Sequence, residues 1–177
     1  MTDIIVSADA LGATTGIVRQ GNKSYPCTLG RFGIIAAELK KEGDGATPAG
    51  SFPLREVYYR ADRMAAPQTG LPLYGLEKDF GWCENPDHPD YNKLVKIPHP
   101  AVTDHMTRDD HLYDIVVIIG FNDAPVRIGK GSAIFMHLAR PDFSPTAGCV
   151  GLSLEHLREV LLGLDSESRI TILHPKE

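Results

Sequence analysis

His137 and the turn Thr146-Ala147-Gly148-Cys149-Val150 that follows it are the residues of this chain best suited to chemistry. A cysteine attacks a carbonyl as its thiolate, and a nearby imidazole is the usual means of removing the thiol proton. Gly148 leaves the backbone free for the close approach by which main-chain N–H groups meet a developing oxyanion. The pattern points to acyl transfer at a carbonyl. Cys149 would be the nucleophile, His137 the general base, and the N–H groups of Ala147, Gly148 and Cys149 the oxyanion donors. The plain alternative is a buried structural thiol near a satisfied core histidine, the commoner fate of either residue alone. Their pairing across a glycine turn is suggestive and no more; on base rates alone the structural thiol wins, and the wider motif context reverses that for Cys149.

A second constellation lies upstream. His88, His99, His105 and His111 share one polar stretch with Cys83, Asp104 and Asp109. Zinc sites use tighter spacings such as His-Glu-x-x-His or Cys-x-x-Cys, and neither occurs. Histidines six apart share no helix face, so no metal site is expected, and acyl transfer by a thiol requires no cofactor.

Composition narrows the function classes. A chain of 177 residues with 42% hydrophobic and 23% charged content suits one soluble globular domain. A net charge of −5, with basic residues scattered rather than clustered, argues against a nucleic-acid partner. No apolar run approaches the ~18 residues of a membrane span. The opening Met-Thr-Asp-Ile-Ile-Val-Ser-Ala-Asp has neither a basic n-region nor a long apolar h-region, so no signal peptide is visible. Cys27, Cys83 and Cys149 make an odd count; free thiols are the simpler reading, with a Cys27–Cys83 bridge as the alternative.

The elements that must position these residues are mostly strands. Short β-prone runs recur at 3–8, 15–19, 24–29, 51–59, 114–121, 132–138 and 169–173, many of them separated by Gly and Pro clusters. The run from Asp114 to Phe121 is apolar throughout and reads as a central strand buried on both faces. One helix is expected after Ser153, which can cap it, with Leu154, Leu157, Val160, Leu161 and Leu164 as its apolar stripe. The stretch 33–41 supplies a helical turn or two at most. The segment 60–110 is weakly periodic and rich in Pro, Asp and His, and is expected to be a cap or lid over the active site.

A family resemblance joins these fragments. His137, then Ser144-Pro-Thr-Ala-Gly-Cys149-Val150, resembles the active-site signature of the L,D-transpeptidase catalytic domain, the YkuD-like family. Thr47-Pro48-Ala49-Gly50-Ser51-Phe52 resembles that family's Thr-Pro-x-Gly-x-Phe element. Gly81-Trp82-Cys83-Glu84-Asn85-Pro86 with Tyr91-Asn92, and Arg108-Asp109 with Leu112-Tyr113-Asp114, are similar to a short stand-alone branch. The matches run in order from Thr47 to about Ser153 and cover most of the chain.

The resemblance implies a mostly β, sandwich-like catalytic domain spanning 1–177, with one packed helix and the 60–110 cap. It implies transfer of a peptidoglycan stem-peptide acyl group through a thioester at Cys149, and acylation by carbapenem-type β-lactams. It makes Thr146, Trp82, Tyr91, Asn92 and Arg108 candidates for substrate contact; for the aromatic pair and Asn92, packing of the cap is an equal reading. Arg140 is a further carboxylate partner to weigh. The resemblance implies the periplasm or cell envelope; with no signal peptide visible, three readings stand: a chain expressed without its leader, export by another route, or work in the cytoplasm.

Many family members carry arginine two residues after the cysteine, where this chain has Gly151. Three other readings remain: an L,D-carboxypeptidase or cysteine peptidase, a non-catalytic cell-wall peptide-binding module, and a caspase-type loop. The last needs several helices around a sheet, and only one helix is visible.

Overall fold

The computed structural model describes residues 3–175. Its first three strands, β1 (Ile4–Ser7), β2 (Thr15–Gln20) and β3 (Lys23–Thr28), form an antiparallel meander. Alternation explains it: Ile4 and Val6 are fully buried, while Ile5 between them is 41% exposed. Two short strands, β4 (Ile34–Ile35) and β5 (Thr47–Pro48), pair in parallel beside the main sheet. Next come the long β6 (Gly50–Tyr59) and β7 (Leu73–Gly75), then β8 (Phe80–Cys83), β9 (Leu94–Lys96) and β10 (Thr103–His105). The chain ends with β11 (Ile115–Ile119), β12 (Phe135–Leu138), β13 (Val150–Leu152), helix α1 (Leu154–Leu162) and β14 (Arg169–Ile172).

The main sheet runs β11-β12-β13-β3-β2-β1-β14-β6-β7, and β6 also pairs with β11. That extra pairing closes the sheet on itself. Strand β6 serves both ends because Gly50–Pro53 bond to β14 while Leu54–Tyr59 face β11, with a register irregularity between Val117 and Ile119. The principal core contains Ile4, Val6, Leu54, Val117, Met136 and Leu152, joined by Leu157, Val160 and Leu161 of α1. Ser153 caps that helix by accepting the His156 N–H at 3.2 Å. Leu154, the first residue of the expected stripe, is 42% exposed.

Strand β11 is buried on both faces because it separates two cores. Ile115, Val117 and Ile119 belong to the principal one. Val116 and Ile118 face a second cluster with Tyr58, Trp82, Met106, Tyr113, Phe135 and Cys149. The other side of that cluster comes from the small sheet β10-β8-β9, built from the weakly periodic segment. The mostly β reading with one helix holds. Between residues 33 and 41 there is a single 3-10 turn at Ala37–Leu39 rather than α-helix. No helix among the described residues is long and apolar enough to cross a membrane.

Candidate active site

Strands β12 and β13 are parallel neighbours in the register Met136↔Val150, His137↔Gly151. Cys149 therefore stands beside Phe135, one step before the first pair. Phe135 and His137 lie on one face of β12, and paired residues of adjacent strands share a face, so the thiol and the imidazole occupy diagonal positions on the second-cluster face. Gly151, opposite His137, leaves the neighbouring position without a side chain. A Cβ there would lie 2.4 Å from Thr28 Cγ2 and 3.3 Å from Ala139 Cα, so an arginine side chain has no room.

The turn itself is held from two sides. Thr146 donates its hydroxyl to the Cys149 carbonyl at 2.7 Å and accepts the Gly148 N–H at 3.1 Å. Gly148 has φ +137°, and a Cβ would stand 2.8 Å from the Ala46 carbonyl oxygen. Beneath it, Thr47 Oγ1 accepts the Gly30 N–H at 2.9 Å, and Gly30 bridges to Thr146. The two sequence motifs, a hundred residues apart, thus meet at the thiol turn. Of the three expected oxyanion donors, the Gly148 N–H is occupied by Thr146. Those of Ala147 and Cys149 are not consumed by that bond, and both residues line the cleft.

Cys149 is 7% exposed and His137 4%. The thiol donates to the Ala133 carbonyl at 3.2 Å and accepts the Phe135 N–H at 3.4 Å. Nδ1 of His137 sits 2.8 Å from the Leu138 carbonyl, which can only accept, so Nδ1 carries the proton and Nε2 keeps a lone pair. Burial pushes the thiol up to about 12 and the imidazole down to about 4. The resting pair is therefore thiol and neutral imidazole. The sequence suggested a thiolate held by histidine; desolvation of both groups opposes that ion pair.

Cys149 and Ala147 line a cleft of about 370 Å³ with Lys40, Glu84, Asp104 and Arg108. Tyr113 lines it too, donating its hydroxyl to Asp104 at 2.6 Å and packing 5.4 Å from the His137 ring. Burial, then the charges of Asp104 and Glu42, raise the Glu84 carboxyl to about 7. Lys40, Glu42 and Arg31 carried no signal in the sequence beyond lying near the Thr-Pro motif. Glu84 and Tyr113 stood inside quoted motifs, but no role was read for them.

The remaining expected residues divide. Arg108 lines the cleft, with its guanidinium held by Asp110 at 2.7 Å and 5.0 Å over the Tyr113 ring. Trp82, Tyr91 and Asn92 are buried and do not line the cleft. Trp82 packs edge-on against Phe135 at 5.0 Å, and the Tyr91 hydroxyl bonds to Glu42. Arg140 is exposed and away from the cleft lining. All three cysteines are free.

Of the histidine constellation, His88 and His99 meet Asp90. Their Nδ1 atoms accept the N–H groups of Asp90 and Ala101 at 3.1 and 3.2 Å, which leaves protons, not lone pairs, on Nε2. His99 Nε2 bonds Asp90 at 3.2 Å, so His88, Asp90 and His99 form a hydrogen-bonded cluster in the segment between β8 and β10.

Comparison with known proteins adds the family. Curated proteins give no sequence match to the chain. Among solved structures, L,D-transpeptidase 3 of Mycobacterium tuberculosis is 14% identical with TM-score 0.44, over 98% of this chain and 62% of that one. An L,D-transpeptidase from Mycobacterium smegmatis gives 14% and 0.39, over 98% and 59%. A complex of the former protein with a faropenem-derived adduct gives 15% and 0.43, over 98% and 61%. This chain thus spans less than two thirds of each of those chains. The family model for the L,D-transpeptidase catalytic domain, YkuD, matches residues 3–172, so the chain belongs to that family.

Proposed function

We propose that this chain is a cysteine-dependent L,D-transpeptidase acting on peptidoglycan stem peptides through a thioester at Cys149. The observation that carries the reading is the His137 tautomer: Nδ1 is fixed on the Leu138 carbonyl, so Nε2 is free to take a proton on the face of the sheet that bears the thiol. Because both groups rest neutral, the proton moves during attack rather than before it. Sγ bonds to the carbonyl carbon between stem residues three and four as His137 Nε2 takes the thiol proton. The resulting oxyanion is met by the N–H groups of Ala147 and Cys149. Collapse breaks the C–N bond, and the departing D-alanine amine takes the proton from His137. An amine of a second stem, a protein lysine or water then attacks the thioester and returns the thiol.

In this reading Thr146 orders the turn, and the sheet β10-β8-β9 is the cap over the thiol. Arg108 and Glu84 are the charged groups that a stem peptide meets. The activity belongs in the cell envelope. Incubation with defined muropeptides, followed by mass spectrometry, should give a 3–3 cross-linked or D-amino-acid-exchanged product that Cys149→Ala does not make. Loss of the terminal residue alone would make the enzyme an L,D-carboxypeptidase. No change with any stem peptide and a demonstrably reduced thiol would favour a binding module. A carbapenem should also leave a 1:1 mass adduct on the peptide containing Cys149, and an adduct on Cys27 or Cys83 instead would count against this chemistry.

A further inference from the structure

The thiol rests on a peptide that is itself held from the cap. Ala133, whose carbonyl accepts the Cys149 S–H at 3.2 Å, has φ +53°, a left-handed conformation that an alanine does not adopt unaided. Its N–H is bonded to Asn92 Oδ1 at 3.1 Å. The same oxygen accepts the Trp82 indole N–H at 3.0 Å. On the other side of the amide, Nδ2 donates to the carbonyls of Phe121 and Asn122 at 3.0 and 2.8 Å.

All four bonding positions of this buried amide are thereby filled, and turning it over would set N–H against N–H and oxygen against oxygen. The residue joins β8 to both ends of the loop between β11 and β12. Asn92 itself has φ +59°, which asparagine tolerates better than other non-glycine residues. Next to it, the Tyr91 hydroxyl accepts the Gly131 N–H at 3.0 Å, so two consecutive cap residues grip the loop that ends at Ala133.

We propose that Asn92 is a positioning residue: by holding the Ala133 peptide it fixes the carbonyl that receives the Cys149 S–H, and so sets how the thiol is presented. It touches neither Sγ nor the cleft; it acts through Ala133. A carbonyl accepting from S–H stabilises the thiol over the thiolate, so releasing that carbonyl makes the thiolate easier to form while the sulfur loses its orientation.

The test separates those two effects. Asn92→Gly removes the amide but retains a residue at ease at positive φ. The pH dependence of Cys149 alkylation by iodoacetamide should shift down by about one unit. Thioester formation with a carbapenem should slow by roughly tenfold or more. Asn92→Asp loses the two donated bonds to Phe121 and Asn122 but keeps both accepted bonds, so it still holds the Ala133 N–H and should show no downward shift. A folded Asn92→Gly protein that alkylates with the unaltered pH midpoint would overturn the proposal. If that variant does not fold, Asn92→Ser is read the same way, because it keeps a polar group but shortens the side chain away from the Ala133 N–H. An unchanged midpoint there overturns the proposal equally. Alkylation needs no stem peptide, so this result stands or falls apart from the transpeptidase reading.

Discussion

Cys149→Ala removes one sulfur from a cluster that also contains Phe135, Tyr113 and Val116, so the fold should survive while acyl transfer is lost. Denaturant unfolding within about 1.5 kcal/mol of the parent, with no thioester by mass, is the expected pair of results. Cys27→Ser should keep its thioester chemistry, since Cys27 belongs to the principal core and not to the cluster around Cys149. Glu84 offers a sharper test. Its carboxyl is raised to about 7, and once ionised it raises the Cys149 thiol further. Glu84→Gln should therefore speed alkylation of Cys149 severalfold above pH 7, with little change at pH 5 where the parent carboxyl is already neutral. Equal rates across the whole range would detach Glu84 from the thiol.

At the scale of elements, the turn between β12 and β13 depends on glycine at two places for different reasons. Gly148 combines φ +137° with the Ala46 carbonyl 2.8 Å from where a Cβ would sit. Gly148→Ala should cost about 2–4 kcal/mol, measured by chemical denaturation, and abolish thioester formation together with it. Gly151→Arg would restore the residue that many family members carry, but here it must displace Thr28 and Ala139. That variant should be less stable and no faster with carbapenem; a stable, faster protein would mean that β3 can move aside.

The same two elements explain what was legible in the sequence. Strands β1, β11, β12 and β14 fall within, and β2, β3 and β6 extend one residue beyond, runs recognisable by alternation or continuous apolarity, and α1 declared itself by its Ser153 cap and leucine stripe. Strands β8, β9 and β10 did not: each has only three or four residues, β8 buries three in a row, and β9 and β10 hold half-buried or exposed positions with no period to read. His137 and Cys149 were legible as a pair. The protonation state of the pair was not, since it depends on how deeply the fold buries both rather than on their types. Trp82 and Asn92 were visible as a motif, yet their part as buried struts depends on Ala133, which no local pattern connects to them.

Over the whole molecule, burial of ionisable groups sets the pH range in which the fold is most stable. His137 is held neutral, at about 4 against 6.5 when unfolded. Its contribution is thus fully present above 6.5 and is lost as pH falls through 4. Cys27 and Cys149 are both raised to about 12 from 9.0, by burial above all. The folded chain then holds protons that the unfolded chain releases, so their contribution is complete below 9 and disappears as pH rises towards 12. Glu84 has the same sign at lower pH: its contribution is full below 4.5 and gone above about 7, where it partly offsets the gain from His137. The alkaline limb is read by difference between variants, because burial raises the hydroxyls of Tyr58, Tyr91 and Tyr113 as well. At pH 10.5 each thiol should cost on the order of 2 kcal/mol relative to pH 7.5, by linkage from the unfolded value. Urea unfolding at the two pH values should show Cys149→Ala and Cys27→Ala each losing about 2 kcal/mol less than the parent does. A parent protein equally stable at both would mean that the two sulfurs ionise freely inside the closed sheet, and that burial does not govern the thiol on which the proposed chemistry depends.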